Sequence, residues 1–521
     1  MATNKPASFL SQILIYGSGL ALNYGIGFIL LPIYSRLMPT DQYGTLEILN
    51  RTIEIVSLLL LTQYGITYIR FFRDKNDEDY RKRVTSTSMY VVVGIAVLVA
   101  AVMAVLRVPL SELLFNTPEF GLYIVLVAVR YVLDMSFVVP FLYYQATEQP
   151  KKYIAISTSR FVTTLLLNIA FLTMMDDKVA AVLWAQIVSV AVFALTIGVW
   201  VFWKSARVMD KQLTGQILKF TWSFSFLGLY SFVIASGDRF VLNEYCGKSE
   251  VGVYSAGYRI AQVLGVLIFS PILRAWSPRM VEQLRSDDGP KQLARLTTYS
   301  MLAYCLAGLA LSMYARELVW IMVGPDYQAC YVIVPVVVLG YLFQGFSSFV
   351  DGGIYYSKKT HLKIWHGVTT AVCVGLYFAL IPNYCGMGAA WASVGTYFVL
   401  ALINWYISIR VYPMRYELGK FVNMTVIAVG LYAANLVIEQ NELKYFGEWR
   451  IIGQYSFPWL YTLVISFVKL PLLLAFVALV NWLRIVEPKD KERLKDVLRK
   501  LKEKVTPGNK PTVANDPNQV V

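Results

Sequence analysis

Charged residues are scarce in this chain. They make up 15% of its 521 residues, whereas hydrophobic residues make up 57%, and soluble globular chains carry roughly 25% charged residues. A soluble protein of this length needs polar side chains over its whole outside, and this chain has too few of them. Lipid must therefore cover part of its surface.

Residues that bind metals or form disulfides are also few. The chain has two histidines and five cysteines, which lie far apart and without C-x-x-C spacing at Cys246, Cys305, Cys330, Cys373 and Cys385. Most of these cysteines lie in or beside apolar segments, where cysteine acts as a small packing residue. The sequence therefore predicts no metal site, no bound cofactor and no disulfide framework.

The net charge of +14 would suggest a nucleic-acid partner in a soluble protein. Here the basic residues fall in short gaps between apolar stretches. Such placement sets membrane topology, so we expect no nucleic-acid partner.

Long hydrophobic runs dominate the chain. A membrane-spanning helix needs about 20 largely apolar residues, and continuous runs of that length select helices rather than a closed barrel. The pattern predicts an all-α integral membrane protein. We expect about fourteen spans, near residues 10–36, 45–69, 84–106, 121–146, 153–174, 179–203, 217–238, 251–273, 296–315, 327–350, 361–382, 387–409, 418–438 and 455–483. The first run is too long for a signal peptide and should be retained.

The loops between these runs support that count. With a cytoplasmic N-terminus, the inside connections hold most of the Lys and Arg residues, and the alternation never reverses along the chain. The positive-inside rule then places both termini in the cytoplasm and the protein in the plasma or bacterial inner membrane. Residues 485–521 are predicted to form a basic amphipathic helix on the inner leaflet, followed by a disordered tail.

The sequence contains an internal repeat. Gly44 precedes Arg51 by seven residues, as Gly252 precedes Arg259, and the two copies are 208 positions apart. Units of six spans keep one orientation and are related by a pseudo-two-fold axis along the membrane normal. We expect an N-lobe at 1–215, a C-lobe at 216–415, two added helices at 416–484 and a cytoplasmic tail at 485–521.

Five basic residues fall inside the predicted spans and away from their ends: Arg51, Arg130, Arg160, Arg259 and Lys469. A charge at the bilayer centre costs about 2.5–3.5 kcal/mol on insertion scales, so each should face a cavity or a partner. Lys469 is expected to contact a lipid tail or to snorkel to the interface, and snorkelling is favoured.

Arg51 and Arg259 are the first candidates for an anion site. Glu47 and Glu54 share a helix face with Arg51, which indicates either an anion site poised by carboxylates or a self-neutralised ion cluster. Arg259 has no acidic residue at those spacings on its own helix, so we predict that it binds substrate, with Tyr258 beside it. Because the two arginines are repeat-equivalent, both should lie near the central axis.

The remaining charged residues suggest pairing or gating. Arg130 and Asp134 are four residues apart and are predicted to pair. Arg160 is a further substrate-binding candidate that faces the N-lobe interior. Asp238 and Arg239 are predicted to form an interfacial or gate pair.

Two stretches carry a family resemblance. They read G-S-G-L-A-L-N-Y-G-I-G-F-I-L-L-P-I-Y-S-R-L-M-P-T-D-Q-Y-G near the N-terminus and S-G-D-R-F-V-L-N-E-Y-C-G-K-S-E-V-G-V-Y-S-A-G-Y-R-I-A from Ser236 to Ala261. Both resemble Wzx-type polysaccharide-biosynthesis flippases of the multidrug/oligosaccharidyl-lipid/polysaccharide exporter superfamily. The resemblance implies two six-helix lobes that rock around a central cavity. In related lipid II flippases, cationic residues of the second and eighth spans face the diphosphate, and Arg51 and Arg259 match them. Those relatives also carry cavity arginines in the first span, where this chain has only Arg36.

We therefore expect a flippase and not an enzyme. It would carry a polyprenyl-diphosphate-linked oligosaccharide to the outer leaflet by alternating access, for O-antigen, capsule or exopolysaccharide assembly. Glu47, Glu54 and Asp134 are candidates for coupling to a proton or sodium gradient, and membrane lipid and a polysaccharide polymerase are candidate partners. One alternative is a membrane polymerase or glycosyltransferase, which usually has a sizeable outer loop with acidic or histidine residues. The other is a small-cation antiporter, whose cavity should be acidic.

Overall fold

The computed structural model describes residues 27–61, 64–273, 288–357, 360–412, 416–445, 458–483 and 485. The regular elements within these residues are all helical, which confirms the predicted all-α fold. The α-helical segments are α1 (Gly27–Leu37), α2 (Thr40–Leu61), α3 (Tyr64–Asp74), α4 (Glu78–Val105), α5 (Arg107–Phe115), α6 (Gly121–Ala146), α7 (Pro150–Met174), α8 (Lys178–Phe193), α9 (Val199–Lys204), α10 (Lys211–Ser236), α11 (Asp238–Leu264), α12 (270–273), α13 (Gly289–Met313), α14 (Ala315–Met322), α15 (Ile333–Val350), α16 (Gly352–Tyr356), α17 (His366–Val411), α18 (Leu418–Tyr445) and α19 (Pro458–Trp482).

Nine of the described helices or continuous helical runs are long and apolar enough to cross a membrane. Two of these nine, the runs Gly228–Leu273 and His366–Val411, are 46 residues long, which is twice the length that a span needs. Because each of these two runs folds back on itself, the nine runs supply eleven spans. The predicted fourteen then also include α1, α2 and α19, which coincide with predicted spans.

The first of the 46-residue runs is a hairpin. Gly247 interrupts α11 with a left-handed φ of 82°, a conformation that glycine adopts without steric cost. The two arms meet where the Tyr254 hydroxyl donates to an Asp238 carboxylate oxygen at 2.5 Å. The chain therefore reverses direction at Gly247 and enters the membrane again.

The second hairpin turns at Cys385, whose φ is 46°, and its arms meet where His366 Nε2 lies 3.0 Å from Asn404 Oδ1. Cys385 is disulfide-bonded to Cys246, the residue before Gly247, so one covalent bond joins the tips of the two hairpins. The prediction that no disulfide framework forms was wrong for this pair, because a partner 139 residues away leaves no local spacing pattern. The other three cysteines are buried and are not disulfide-bonded, as expected.

The repeat-related glycines face each other where α2 crosses α11. A Cβ on Gly44 would lie 1.8 Å from the Lys248 carbonyl oxygen, and a Cβ on Gly252 would lie 2.2 Å from the Thr40 carbonyl oxygen. Two backbones approach this closely only where both positions lack a side chain. The reciprocal contact is the one that a pseudo-two-fold axis between the predicted lobes would produce.

The chain divides into two compact units, Met1–Glu417 and Leu418–Val521, so both predicted lobes fall in the first. In the second unit, Lys469 of α19 lies 2.8 Å from a Glu439 carboxylate oxygen of α18 and is 2% exposed. Lys469 therefore does not snorkel, because it is buried against a carboxylate. The predicted amphipathic tail helix lies outside the described residues, as does the first part of the first span.

Candidate functional site

Glu47 is a buried carboxylate between the lobes, and two arginines share it. Its side chain is 0% exposed, and Arg51, one turn later on α2, approaches one carboxylate oxygen at 3.2 Å. Arg259 of α11 binds the other oxygen. A buried carboxylate needs such partners, because an unpaired charge in a protein interior is very costly. The structure thus brings the two repeat-equivalent arginines together on one group.

Arg51 and Arg259 also have separate partners. Arg51 Nη1 donates to a Glu54 carboxylate oxygen at 2.6 Å and to Ser236 Oγ of α10 at 3.4 Å. Arg259 donates to the Gly27 carbonyl oxygen of α1 at 3.1 Å. The sequence of its own helix suggested that Arg259 has no acidic partner, but Arg259 is paired with Glu47. Its acidic partner belongs to the other lobe, 212 positions away, where helical spacing cannot find it.

A second ion network lies in the N-lobe around Asp134. Arg130 approaches one carboxylate oxygen at 3.3 Å, which confirms the predicted pair, and Arg160 of α7 approaches the other at 2.6 Å. Arg130 also donates to Asn50 Oδ1 at 2.8 Å. Asn50 directly precedes Arg51 on α2. The two networks are therefore neighbours along α2.

The networks differ in charge, and both contain partly exposed side chains. Glu47 and Glu54 balance Arg51 and Arg259, whereas the second network has two arginines for one carboxylate. The exposed fraction of the side chain is 24% for Arg51, 41% for Glu54 and 34% for Arg160. A charged group exposed to hydrocarbon is costly, so we expect these side chains to face a polar hollow rather than lipid.

Asp238 and Arg239 form an ion pair inside the C-lobe. Their side chains are buried and 2.7 Å apart, so the predicted pair forms, and its role at the interface or as a gate stays a prediction. Tyr254 donates to Asp238, and the Arg239 guanidinium stacks 4.4 Å from the ring centroid of Tyr258. Tyr258, predicted to lie beside Arg259 in the substrate site, is therefore buried beneath Arg239 in this conformation.

One end of the lobe interface is closed by contacts from α1 and α2. They join Arg36 Nη2 to the Ile321 carbonyl at 2.7 Å, the Gly324 amide to Ser35 Oγ at 3.1 Å, the Tyr327 hydroxyl to the Met38 carbonyl at 3.0 Å, and the hydroxyls of Thr40 and Ser249 at 2.7 Å. The Gly247 hairpin tip adjoins this closure, two residues before Ser249. The lobes are thus closed at the end where the charge pattern places the outer loops.

Sequence reasoning missed three groups of the site: Asn50, Ser236 and the Gly27 carbonyl. A polar residue beside Arg51 in an apolar run was an available signal for Asn50. Ser236 gave no signal, because serine is common in transmembrane helices, and a backbone carbonyl has no sequence signature.

Comparison with known proteins decides the family. Residues 9–283 match the family model described as "Polysaccharide biosynthesis protein", which is more than half of the chain. The chain belongs to this polysaccharide biosynthesis family. No curated protein sequence matches it.

Solved structures show that this polysaccharide biosynthesis protein shares the fold of membrane transporters. The lipid II flippase MurJ in an inward closed conformation aligns with a TM-score of 0.70 at 10% identity, over 91% of this chain and 98% of that one. An inward-facing multidrug resistance MATE family transporter aligns with a TM-score of 0.62 at 14% identity, over 76% and 95%. A mutant of the Vibrio cholerae MATE transporter VcmN aligns with a TM-score of 0.54 at 15% identity, over 77% and 95%.

Proposed function

We propose that this protein is a flippase for a polyprenyl-diphosphate-linked oligosaccharide. It would move the head group from the cytoplasmic to the outer leaflet by alternating access, for the assembly of O-antigen, capsule or exopolysaccharide. The observation that supports this proposal most is the carboxylate of Glu47, held by Arg51 from one lobe and Arg259 from the other. The family and the fold shared with a lipid II flippase agree with it.

A diphosphate can replace Glu47 as the partner of the two arginines. Phosphate and carboxylate oxygens accept the same paired guanidinium hydrogen bonds, and a diphosphate brings more negative charge. Entry of the head group would release Glu47 from Arg259, and this ion pair is one of the bonds that hold the lobes together. Substrate binding and lobe separation are then linked, because the substrate binds the separated state better.

Coupling to an ion gradient is proposed to act through Glu54 or Asp134. Glu54 is the most exposed carboxylate of the first network, and its protonation would free Arg51 for the substrate. Asp134 holds two arginines, so its neutralisation would add positive charge to the hollow. A sodium ion or a proton could supply that change.

A small-cation antiporter is the alternative function, since MATE transporters are among the structural neighbours. A cation substrate needs a carboxylate that is free to bind it. Four carboxylates of the described spans, Glu47, Glu54, Asp134 and Asp238, each contact an arginine instead. This arrangement favours an anionic substrate.

The disulfide supports the proposed orientation in the cytoplasmic membrane. Disulfides persist in oxidising compartments and are rare in the cytosol. The bond between Cys246 and Cys385 joins two loops that the charge pattern places outside, and the same pattern places both termini in the cytoplasm. A polysaccharide polymerase at the outer surface would then receive the flipped product.

A flipping assay in reconstituted vesicles tests the proposed substrate and site. With an oligosaccharide linked to polyprenyl diphosphate, Arg51→Ala and Arg259→Ala should each slow flipping by about tenfold to 150-fold, since a hydrogen bond to a charged group contributes about 1.5–3 kcal/mol. Arg73→Ala is the matched control, because Arg73 forms an exposed ion pair with Glu148 and should be dispensable. Flipping at the wild-type rate by both site variants would contradict the site assignment.

Glu47→Gln separates substrate binding from lobe movement. Loss of the competing carboxylate charge should tighten the binding of the diphosphate. The weakened bond between residue 47 and Arg259 should slow the return of the separated lobes to the closed state. Affinity should therefore rise as the flipping rate falls. A simple folding defect would lower both quantities, and that result would count against the exchange of Glu47 for substrate.

A further inference from the structure

A groove on the N-lobe is lined by residues that belong to neither ion network. It has a volume of about 490 Å³ and is walled by α4, α6 and the run from α8 to α9, which is within the roughly 300–1,000 Å³ of ligand pockets. Apolar side chains such as Val93, Leu133, Leu195 and Val199 form its walls. Leu195 is 65% exposed, so the groove is open to the side that faces the bilayer.

Small residues and an irregular helical turn create the groove. Between α8 and α9 the chain makes a π turn at Ala194–Gly198, and such turns are frequent at functional sites. A Cβ on Gly94 would meet nothing within 4 Å, and the nearest neighbour of a Cβ on Gly198 is the Ser136 carbonyl oxygen at 3.6 Å. The space is therefore built into the backbone, and a larger side chain at Gly94 would fill it.

Two arginines stand at one end of the groove. Arg83 lies seven residues before the wall residue Tyr90 on α4, so both side chains project from one helix face, roughly 10 Å apart along the axis. Tyr90 donates to the Arg207 carbonyl oxygen at 3.3 Å, and the Arg207 guanidinium lies 5.2 Å from the ring centroid of Trp203. Both arginines are exposed, and the described residues provide no carboxylate partner for either.

We propose that this groove binds an acyl chain of an anionic phospholipid whose phosphate contacts Arg83 and Arg207. An apolar groove open to the bilayer fits a hydrocarbon chain, and basic residues beside the ends of spans attract anionic head groups. Exposed tryptophan beside arginine is typical of the membrane interface. The transported lipid is a less suitable occupant, because α2 and α11, which carry the bridged arginines, do not line the groove.

Native mass spectrometry of the full chain tests the groove with phosphatidylglycerol and phosphatidylcholine of identical acyl chains. Wild type should retain one phosphatidylglycerol with about tenfold or greater preference, because each arginine near the surface adds attraction to an anionic lipid. Gly94→Leu should lose this bound lipid. Gly375→Leu is the matched control, since Gly375 is an exposed helical glycine whose Cβ would also meet nothing within 4 Å, and it should keep the lipid.

A charge variant tests the head-group contact independently of the groove. Arg83→Gln combined with Arg207→Gln should remove the preference for phosphatidylglycerol while one lipid of either kind still binds. Equal retention of the two lipids by wild type would overturn the proposal, as would a Gly94→Leu protein that binds like wild type. Displacement of phosphatidylglycerol by equimolar polyprenyl phosphate would also overturn it, because the groove would then belong to the carrier lipid.

Discussion

The crossing of Gly44 and Gly252 determines whether the lobes can close. Gly44→Ala would place a Cβ 1.8 Å from the Lys248 carbonyl oxygen, whereas non-bonded carbon atoms pack at about 3.5–4.0 Å. The two backbones must then separate by about 1.5–2 Å. Overpacking of this kind costs about 1–3 kcal/mol, so the closed population should fall about 5-fold to 150-fold relative to the open one.

Disulfide cross-linking across the closure measures that population. Thr40→Cys combined with Ser249→Cys replaces two hydroxyls that are 2.7 Å apart, so oxidation should cross-link the closed state efficiently. Adding Gly44→Ala should reduce the rate of cross-linking by at least about fivefold. Gly375→Ala, at a helical glycine with open space around it, should leave the rate unchanged. Equal rates with and without Gly44→Ala would refute the role of this crossing in closure.

Two further predictions concern the covalent and ionic bonds that hold hairpins and helices together. Cys246→Ser should make the thiol of Cys385 reactive to a membrane-impermeant maleimide in intact cells and should lower stability by about 2–4 kcal/mol. Labelling of Cys385 only after cell lysis, and not in intact cells, would contradict the outer placement of the hairpin tips. Lys469→Met should destabilise the protein by up to about 3 kcal/mol in thermal or denaturant unfolding, because it leaves Glu439, whose side chain is only 16% exposed, without its cation. Adding Glu439→Met should recover most of that loss, and a double variant as unstable as the single one would show that the pair is not the cause.

The spans could be predicted because their signals are local. The length of each hydrophobic run and the alternation of basic loops can be read directly from the sequence. The contacts of Arg51 with Glu47 and Glu54 were equally accessible, since helical spacing of three and four residues places them on one face.

The contacts between distant helices could not be predicted in the same way. The repeat predicted that Arg259 approaches Arg51, yet it gave no sign that Glu47 lies between them, because only packing of α2 on α11 brings the carboxylate there. Arg160 and Asp134 meet for the same reason across two helices. The hairpin disulfide escaped detection because its cysteines come close only after both hairpins have turned.

Binding of a short-chain polyprenyl diphosphate to the purified full chain tests the central claim most directly. The bridged arginines should supply most of the affinity for the diphosphate, so Arg51→Gln combined with Arg259→Gln should weaken binding by about 100-fold or more. Arg73→Gln, at the exposed ion pair with Glu148, should bind as tightly as wild type. Equal affinity of all three proteins would contradict the claim that these two arginines hold the diphosphate.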